Sequence, residues 1–355
     1  MSDPAQRNAE IERSFRKQGS VCGEMGSAIY ADLLARCADD YAAGGLVARV
    51  VAGWQGHPVL DNLPLRLLGA AHFLALSGEA KALAAFLPST GGCYVSEPAW
   101  LALREVFERY SDRIRLHLAE QIQTNEVRRC CALLGGFLSI ARAHPWPLRL
   151  LEIGASAGLN QCFDQYAYRL GAECYGRGDA PLTLDCEWRG AALDTRGALR
   201  VASRAGCDVA PIDLGDPRAR LRLESFFWPD QTERLARLRA ACECTLRAGV
   251  RIERMRAADW LARELAVPAA QHTRVLFHSV MWMYVPEDER HRIHDLLNDA
   301  GARATQGAPL AWLRMEGVNY DHCEIRLRRW PGGEDQLLGR CHYHGEWVEW
   351  LGSPA

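Results

Sequence analysis

The first 145 residues show the hydrophobic spacing of amphipathic helices. Apolar side chains recur at intervals of three and four positions, for example at Leu63, Leu67, Leu68 and Ala71, and this spacing collects them on one face of a helix. Stretches rich in glycine and proline separate the periodic segments, which marks them as connections. The pattern predicts an all-helical N-terminal region, a domain or a lid, over residues 1–145.

From residue 146 onward, short apolar runs alternate with helical segments. The clearest runs begin at Leu148, Val201, Thr273 and Leu310, and each has the length of a strand. Regular alternation of strands and helices is typical of an α/β domain whose sheet is mainly parallel. Residues 146–355 are therefore predicted to form a second domain of this class, with helices on both faces of the sheet.

The segment from Leu148 to Asn160 has the pattern of a strand, a tight turn and a helix. Its turn, Gly154-Ala155-Ser156-Ala157-Gly158, carries almost no side-chain bulk. Such a turn lets a ligand approach the backbone and presents the N–H groups of the following helix to it. Glu152 ends the strand and would place a carboxylate beside the turn, which disfavours a pyrophosphate. The segment predicts a site for a nucleoside cofactor without phosphates.

Acidic residues follow later strands at positions suited to a nucleoside. Asp208 lies in a Gly-x-Asp-x-x-Pro strand end and could accept two hydrogen bonds from ribose. It follows Gly158 by 50 positions (208 − 158), whereas the usual acid follows the turn by about 20. Either residues 172–199 are an insertion, or Asp185 or Glu187 is the ribose acid. Asp259 is predicted to contact the adenine amino group, to cap the next helix, or both.

Further candidates lie around the predicted crevice. His278 ends a buried strand and is the acid/base or orienting candidate. Glu316 ends the next strand and, with Glu126, is a candidate substrate contact, while Tyr284 is a candidate pocket wall. Glu126 closes the tetrad Gln-Thr-Asn-Glu at 123–126. That tetrad either caps the following helix through Thr124 or Asn125, or reaches over the crevice as part of a lid.

Composition narrows the class of partner. The formal net charge of −2 argues against a general nucleic-acid surface. No run of 18 apolar residues is present to span a membrane, and no signal peptide is recognisable. We therefore expect a cytoplasmic protein without a membrane partner; the sequence does not indicate an oligomeric state.

Cysteine and histidine usage predicts neither disulfides nor a metal. The 13 cysteines are an odd number without paired spacing, which favours thiols in a reducing compartment. One group of histidines and cysteines contains residue types that bind zinc, but it lacks a C-x-x-C element. Its members are His322, Cys323, Cys341, His342 and His344.

Taken together, these segments resemble the class I S-adenosylmethionine-dependent methyltransferase fold, a Rossmann-like fold. The resemblance implies S-adenosylmethionine as cofactor, with its amino-acid part at the turn, its ribose on Asp208 and its adenine on Asp259. The turn residues that it implies as contacts are Glu152, Gly154, Ala155, Ser156, Gly158 and Asn160, with His278 beside them. Ser156 departs from the family, which commonly has a second glycine there.

The whole chain is also similar to the bacterial family called domain of unknown function 2332. The segments that carry this similarity include Leu151–Asn160, Phe277-His278-Ser279-Val280 and Trp330-Pro331-Gly332-Gly333. They run through both predicted domains. This similarity implies no substrate and no catalytic residue.

Three functional hypotheses follow. The first is a methyltransferase of unknown substrate that uses S-adenosylmethionine. The second is a serine hydrolase, because Gly154–Gly158 fits a G-x-S-x-G nucleophile elbow around Ser156, with Asp259 and either His278 or His291 completing a triad. The third is a non-catalytic member of the fold that binds a nucleoside ligand or a protein.

Overall fold

The computed structural model describes residues 4–352 apart from 121, 124, 197–198 and 320. The chain divides into two compact units, residues 1–124 with 216–236, and residues 125–215 with 237–355. The division differs from the predicted boundary near residue 145 because the helix Arg129–Ala143 packs on strands of the second unit. A later segment, 216–236, returns to the first unit.

Helices make up the first unit and flank the sheet of the second. Three further short segments, Pro88–Thr90, Leu159–Gln165 and Trp282–Tyr284, are 3₁₀ helices. The α-helices are α1 (Pro4–Glu24), α2 (Ala28–Ala42), α3 (Leu46–Val50), α4 (Leu63–Leu76), α5 (Lys81–Ala84), α6 (Ser96–Arg109), α7 (Ser111–Leu118), α8 (Arg129–Ala143), α9 (Pro217–Ser225), α10 (Thr232–Arg247), α11 (Ala257–Glu264) and α12 (Glu287–Ala302).

The first unit packs its helices around an apolar core. Leu63 and Leu67 of α4 are fully buried in it, as the periodicity predicts. Asp230 fixes the returning segment, since its carboxylate accepts the Ser27 hydroxyl at 2.7 Å and the Ile29 N–H at 3.1 Å. Trp228 is buried beside Tyr30, with ring centroids 6.1 Å apart. An N-terminal helical region is thus present, extended by residues from the middle of the chain.

One sheet of 11 strands dominates the second unit, in the order β3-β2-β4-β11-β10-β9-β8-β7-β1-β5-β6. Six of the ten strand pairings are parallel and four are antiparallel, which confirms a mostly parallel sheet. The strands are β1 (Leu148–Ile153), β2 (Ala167–Leu170), β3 (Glu173–Tyr175), β4 (Thr183–Gly190), β5 (Val201–Asp208), β6 (Ile252–Arg254), β7 (Thr273–Ser279), β8 (Leu310–Gly317), β9 (Cys323–Trp330), β10 (Asp335–Cys341) and β11 (Trp347–Trp350).

Helices cover both faces of this sheet. Leu151 and Ile153 of β1 pack in one cluster with side chains of α11 and α12. The opposite face carries α8, whose Phe137 meets Phe277 of β7 edge-on, with ring centroids 5.2 Å apart. Alternate residues of a strand point to opposite faces. The strands at the centre of the sheet are therefore apolar on both sides, which explains their continuous hydrophobic runs.

The segment after the glycine turn differs from the helix that the sequence pattern predicts there. It forms a 3₁₀ helix and then β2, because two tyrosine hydroxyls take carbonyls that an α-helix would use. Tyr166 donates to the carbonyl of Leu159 at 2.7 Å, and Tyr168 donates to that of Phe163 at 2.5 Å. The N–H of Ala167 bonds to Leu182 instead. Strands β2 to β4 are thus inserted between β1 and β5, which accounts for the long interval before Asp208.

Candidate functional site

The predicted site residues gather where β1 ends between two parallel neighbours. Glu152 of β1 is in register with Gly206 of β5 on one side and Phe277 of β7 on the other. After the inserted strands β2 to β4, the chain forms β5 and β6 on one side of β1, and it then crosses to form β7 on the other side. Crevices beyond the carboxyl ends of strands at such a switch point are the usual ligand sites of parallel α/β sheets.

The turn after β1 uses its own N–H groups within the protein. Gly154, Ser156 and Gly158 all adopt positive φ, at 63°, 51° and 75°. The N–H groups of Ala155 and Gly158 donate to the carbonyls of Cys207 and Ala155, at 3.1 and 2.7 Å. The N–H groups of Ser156 and Ala157, which lie between them, donate to the side chains of Asp208 and Asn125. Four consecutive amides are therefore engaged, and the turn does not present them to a phosphate.

Asn125 holds the turn from one side. Its Nδ2 donates to Oγ of Ser156 at 2.7 Å, and its Oδ1 accepts the N–H of Ala157 at 3.1 Å. The alternative of a helix cap is not realised by Asn125, since α8 begins at Arg129 without a side-chain cap; Thr124 lies outside the described residues. Glu126 is buried and accepts the N–H of Arg128 at 3.2 Å. The two residues thus support the turn and the start of α8.

Asp208 holds the turn from the other side. Its Oδ2 accepts the N–H of Ser156 at 2.9 Å, and its Oδ1 accepts the N–H of Ala210 at 2.8 Å. The other ribose candidates, Asp185 and Glu187 of β4, pair with Arg169 of β2 and Arg189 of β4. Five strands separate β4 from β1. Asp208 is therefore the one of the three that lies beside the turn.

Asp259 lies in the first turn of α11, which begins two residues earlier, so it does not cap that helix. Its carboxylate is half exposed and pairs with Arg292 of α12 at 2.6 Å.

A buried polar group lies beneath the turn. Glu152 is 3 % exposed, and burial raises the pKa of its carboxyl well above the usual range. The amides of Gln161 and Asn160 oppose this shift, while the nearby Asp208 carboxylate adds to it. Among the described residues, Oε2 of Glu152 and both polar side-chain atoms of Gln161 have no aligned hydrogen-bond partner. Burial favours the neutral form of the acid, so Glu152 would repel a phosphate only weakly. The stronger argument against phosphate binding is that the four amides of the turn already donate within the protein.

His278 is fully buried and bonded at both ring nitrogens. Its Nδ1 lies 2.6 Å from Oε1 of Glu316, and its Nε2 accepts the indole N–H of Trp312 at 3.1 Å. This arrangement requires the tautomer with its proton on Nδ1. Glu316 also accepts the N–H groups of Met281 and Trp282, both at 3.2 Å. The histidine and the carboxylate thus anchor the loop after β7.

The remaining predicted residues lie around this loop. Tyr284 is 77 % exposed at its end, so its ring packs little within the described chain. His291 is exposed on α12. Asn160 reaches the loop by donating from Nδ2 to Oγ of Ser279 at 3.4 Å. The structure thus brings together the turn, Asn160, Asp208 and the end of β7.

The loop after β7 begins with a strained residue, Val280, whose φ is 51°. A β-branched residue in the left-handed region is unusual, and such strain clusters at functional sites. Met281 follows and lies against Gly154, where a Cβ would come within 2.8–2.9 Å of its side chain. The carboxyl ends of β1 and β7 each carry a non-glycine residue of positive φ, Ser156 and Val280.

Val280→Gly is expected to raise the free energy of unfolding by about 0.5–1 kcal/mol. Glycine removes a strain of about 1–2 kcal/mol, and its greater freedom in the unfolded chain offsets part of that gain. The control is Val209→Gly, an exposed valine without positive φ, which should be destabilising. Chemical denaturation of both variants tests the difference; equal losses would show that Val280 is not strained.

One residue at the site escaped sequence reasoning. Arg129 is buried at the start of α8, and its guanidinium donates to the carbonyls of Tyr343 at 3.0 Å and Ser279 at 3.3 Å. Arginine is seldom buried, and no periodic pattern distinguishes Arg129 from the adjoining Arg128, which is only half-buried. It connects the turn before β11 with the end of β7.

The fold and site define a mixed α/β protein with a helical N-terminal region and a cluster of polar side chains at the carboxyl end of β1 in a mostly parallel sheet. Residues 12–350 match the family described as an uncharacterized protein conserved in bacteria (DUF2332). The chain belongs to this family. Comparison with curated proteins and with solved structures gave no match. Among the described helices, none combines the length and apolar character needed to cross a bilayer.

Proposed function

We propose that the second unit is a Rossmann-like domain of methyltransferase type, and that the protein transfers a methyl group from S-adenosylmethionine to a substrate of unknown class. The observation that carries the proposal is the strand order β6-β5-β1-β7-β8, all parallel. Numbered along the chain, these strands read 3-2-1-4-5, the order of a Rossmann fold. The glycine turn follows strand 1, and Asp208 ends strand 2.

The chemistry at the turn suits a nucleoside better than a nucleotide. Four engaged amides leave no backbone cradle for phosphate. Asp208 uses one hydrogen bond on each oxygen, and a carboxylate has about four acceptor sites, so it can still accept ribose hydroxyls. The buried atoms of Glu152 and Gln161 that have no aligned partner supply polar contacts beneath the turn.

The proposal assigns a task to each residue that the methyltransferase resemblance implies. S-adenosylmethionine supplies an electrophilic methyl group when bound, so the chain has to orient the acceptor and exclude water. Gly154, Ala155, Ser156 and Gly158 would face the amino-acid end. Asn160, in the 3₁₀ helix after the turn, and Ser279, at the end of β7, would contact it as well. Asp259 would reach adenine by exchanging its ion pair with Arg292.

The two alternatives receive less support. A serine hydrolase needs an imidazole on the nucleophile. Oγ of Ser156 accepts from Asn125, and both nitrogens of His278 are engaged by Glu316 and Trp312. A binding protein without catalysis would use the same crevice, and it differs from an enzyme only in its failure to transfer the methyl group.

Calorimetric titration with S-adenosylmethionine and S-adenosylhomocysteine tests the cofactor. The wild type is expected to bind one equivalent of each, and Asp208→Ala to weaken binding about 10- to 100-fold, as the loss of charged hydrogen bonds to ribose would do. Asp185→Ala, an acid of the same type on β4, should bind as the wild type does.

Two further measurements make this test decisive. Asp208→Asn keeps an acceptor for the turn, so weakened binding in a variant that melts like the wild type identifies a ligand contact rather than a collapsed turn. Absence of binding by the wild type at millimolar ligand would contradict the proposal, as would equal losses in the Asp208 and Asp185 variants.

A further inference from the structure

A second group of chemically active side chains lies in the turn between β10 and β11. His342, His344 and Glu346 each offer a ligand atom, and these atoms lie within 4.8 Å of one another, the one such group among the described residues. The rings of the two histidines meet edge to face, with centroids 5.5 Å apart. The three residues alternate along the chain as His-Tyr-His-Gly-Glu.

Backbone hydrogen bonds fix the shape of this turn. The N–H of Gly345 donates to the carbonyl of His342 at 2.9 Å, and the N–H of His342 donates to the carbonyl of Trp347 at 3.0 Å. Gly345 has a φ of 70°, and a Cβ there would collide with the carbonyl of Arg128. Glycine at this position therefore lets the turn close tightly with the side chains of its neighbours on one side.

We propose that His342, His344 and Glu346 bind a divalent transition-metal ion of the zinc class. Two imidazoles and one carboxylate are ligands that zinc prefers, and three protein ligands leave a fourth position for water. Nδ1 of His342 lies 3.7 Å from Oε2 of Glu346, close to the separation of about 3.3 Å between two ligands on a tetrahedral ion with bonds of about 2.0–2.1 Å. A small side-chain adjustment brings them into range.

Binding exchanges existing contacts for coordination, among them the ion pair of Glu346 with Arg128 at 4.0 Å. Nδ1 of His342 accepts the N–H of His344 at 3.2 Å, and an ion on this nitrogen replaces that long hydrogen bond. The side chains of His342 and Glu346 are 26 % and 55 % exposed, so an ion can reach them from solvent.

The proposed site differs from the group of histidines and cysteines noted in the sequence. The proposal also departs from the expectation that no metal binds there. Cys323 and Cys341 are buried opposite each other on β9 and β10, and His322, just before β9, is half-buried. Neither cysteine belongs to the convergent set, which gains Glu346 instead. A carboxylate four residues after the first histidine completes the ligands without any C-x-x-C element.

The test is a titration of metal-free, untagged full-length protein with Zn²⁺ by calorimetry, and with Co²⁺ by absorption. The wild type is expected to bind one equivalent with micromolar affinity. His342→Ala combined with His344→Ala should weaken binding at least 100-fold, and Glu346→Gln about 10-fold. His322→Ala, which removes a half-buried histidine outside the set, is the matched control and should bind as the wild type does.

The titrations would overturn the proposal if the wild type showed no saturable binding below 100 times the expected dissociation constant. They would also overturn it if the double variant bound as the wild type does, or if His322→Ala lost as much affinity as the double variant. Strong sulfur-to-cobalt charge-transfer bands would identify thiolate ligands and would count equally against it. Melting curves without metal should coincide for all variants, which separates loss of ligands from loss of fold.

Discussion

Phe137→Ala is expected to lower the free energy of unfolding by about 3–5 kcal/mol, the range for a fully buried aromatic cut to a methyl group. Phe137 has no exposed surface. Its ring stacks on Phe163 with centroids 3.8 Å apart and meets Phe277 edge-on. It therefore joins α8, the 3₁₀ helix after the turn and β7, and its removal leaves a cavity beneath the candidate site.

Urea denaturation followed by tryptophan fluorescence measures this loss. Phe137→Leu keeps most of the volume and should cost clearly less. Val267→Ala, which trims an exposed valine, should stay within about 0.5 kcal/mol of the wild type. A Phe137→Ala variant as stable as Val267→Ala would mean that the packing of α8 on the sheet contributes little to folding.

Glu152→Gln is expected to make the protein more stable than the wild type, increasingly so above about pH 5. Burial raises the pKa of Glu152 in the folded state above its ordinary value of 4.5, so the folded state holds a proton that the unfolded state releases. The stabilising effect of that proton is complete below the unfolded pKa. It is lost as the pH rises toward the folded-state pKa.

The wild type should therefore lose up to about 1.4 kcal/mol per pH unit relative to the glutamine variant within this interval. Denaturation of both proteins at pH 5, 6, 7 and 8 measures the slope. Glu173→Gln, an exposed acid on β3, should follow the wild type at every pH. Parallel profiles of wild type and Glu152→Gln would show that the Glu152 carboxyl titrates alike in the folded and unfolded states.

Periodicity predicted the elements that depend on local spacing. The helices of the first unit and the buried strands β1, β7 and β8 follow directly from their apolar patterns. It failed at residues 159–170, where hydrogen bonds from Tyr166 and Tyr168 to upstream carbonyls redirect the chain. Such bonds depend on where a hydroxyl comes to rest, which hydrophobic spacing does not encode.

The division of the chain into two units also could not be predicted from hydrophobic spacing. Residues 216–236 belong with the N-terminal helices because Asp230 bonds to Ser27 and to the N–H of Ile29, and these partners are some 200 positions apart in the chain. A linear pattern marks α9 as helical but carries no information about which core it joins.

Site residues could be located from sequence, but their bonding could not. Strand ends predicted the positions of Asp208 and His278, since parallel strands bring their carboxyl ends to one edge. The partners on Nδ1 and Nε2 of His278 come from β8, a pairing set by sheet order. Asn125 was predicted only as a helix cap or as part of a lid, and its bonds to the turn were not predicted. Arg129 was recognisable only once the end of β7 lay beside it.

The support of Ser156 from two sides bears on how a ligand would be received. Asp208 and Asn125 fix its N–H and its hydroxyl oxygen with protein groups alone, so the left-handed turn keeps its shape without a ligand. Ordering a loop on binding reduces affinity by its entropy cost. A turn already ordered avoids that cost, and a ligand that makes few contacts with it can then be held in one orientation.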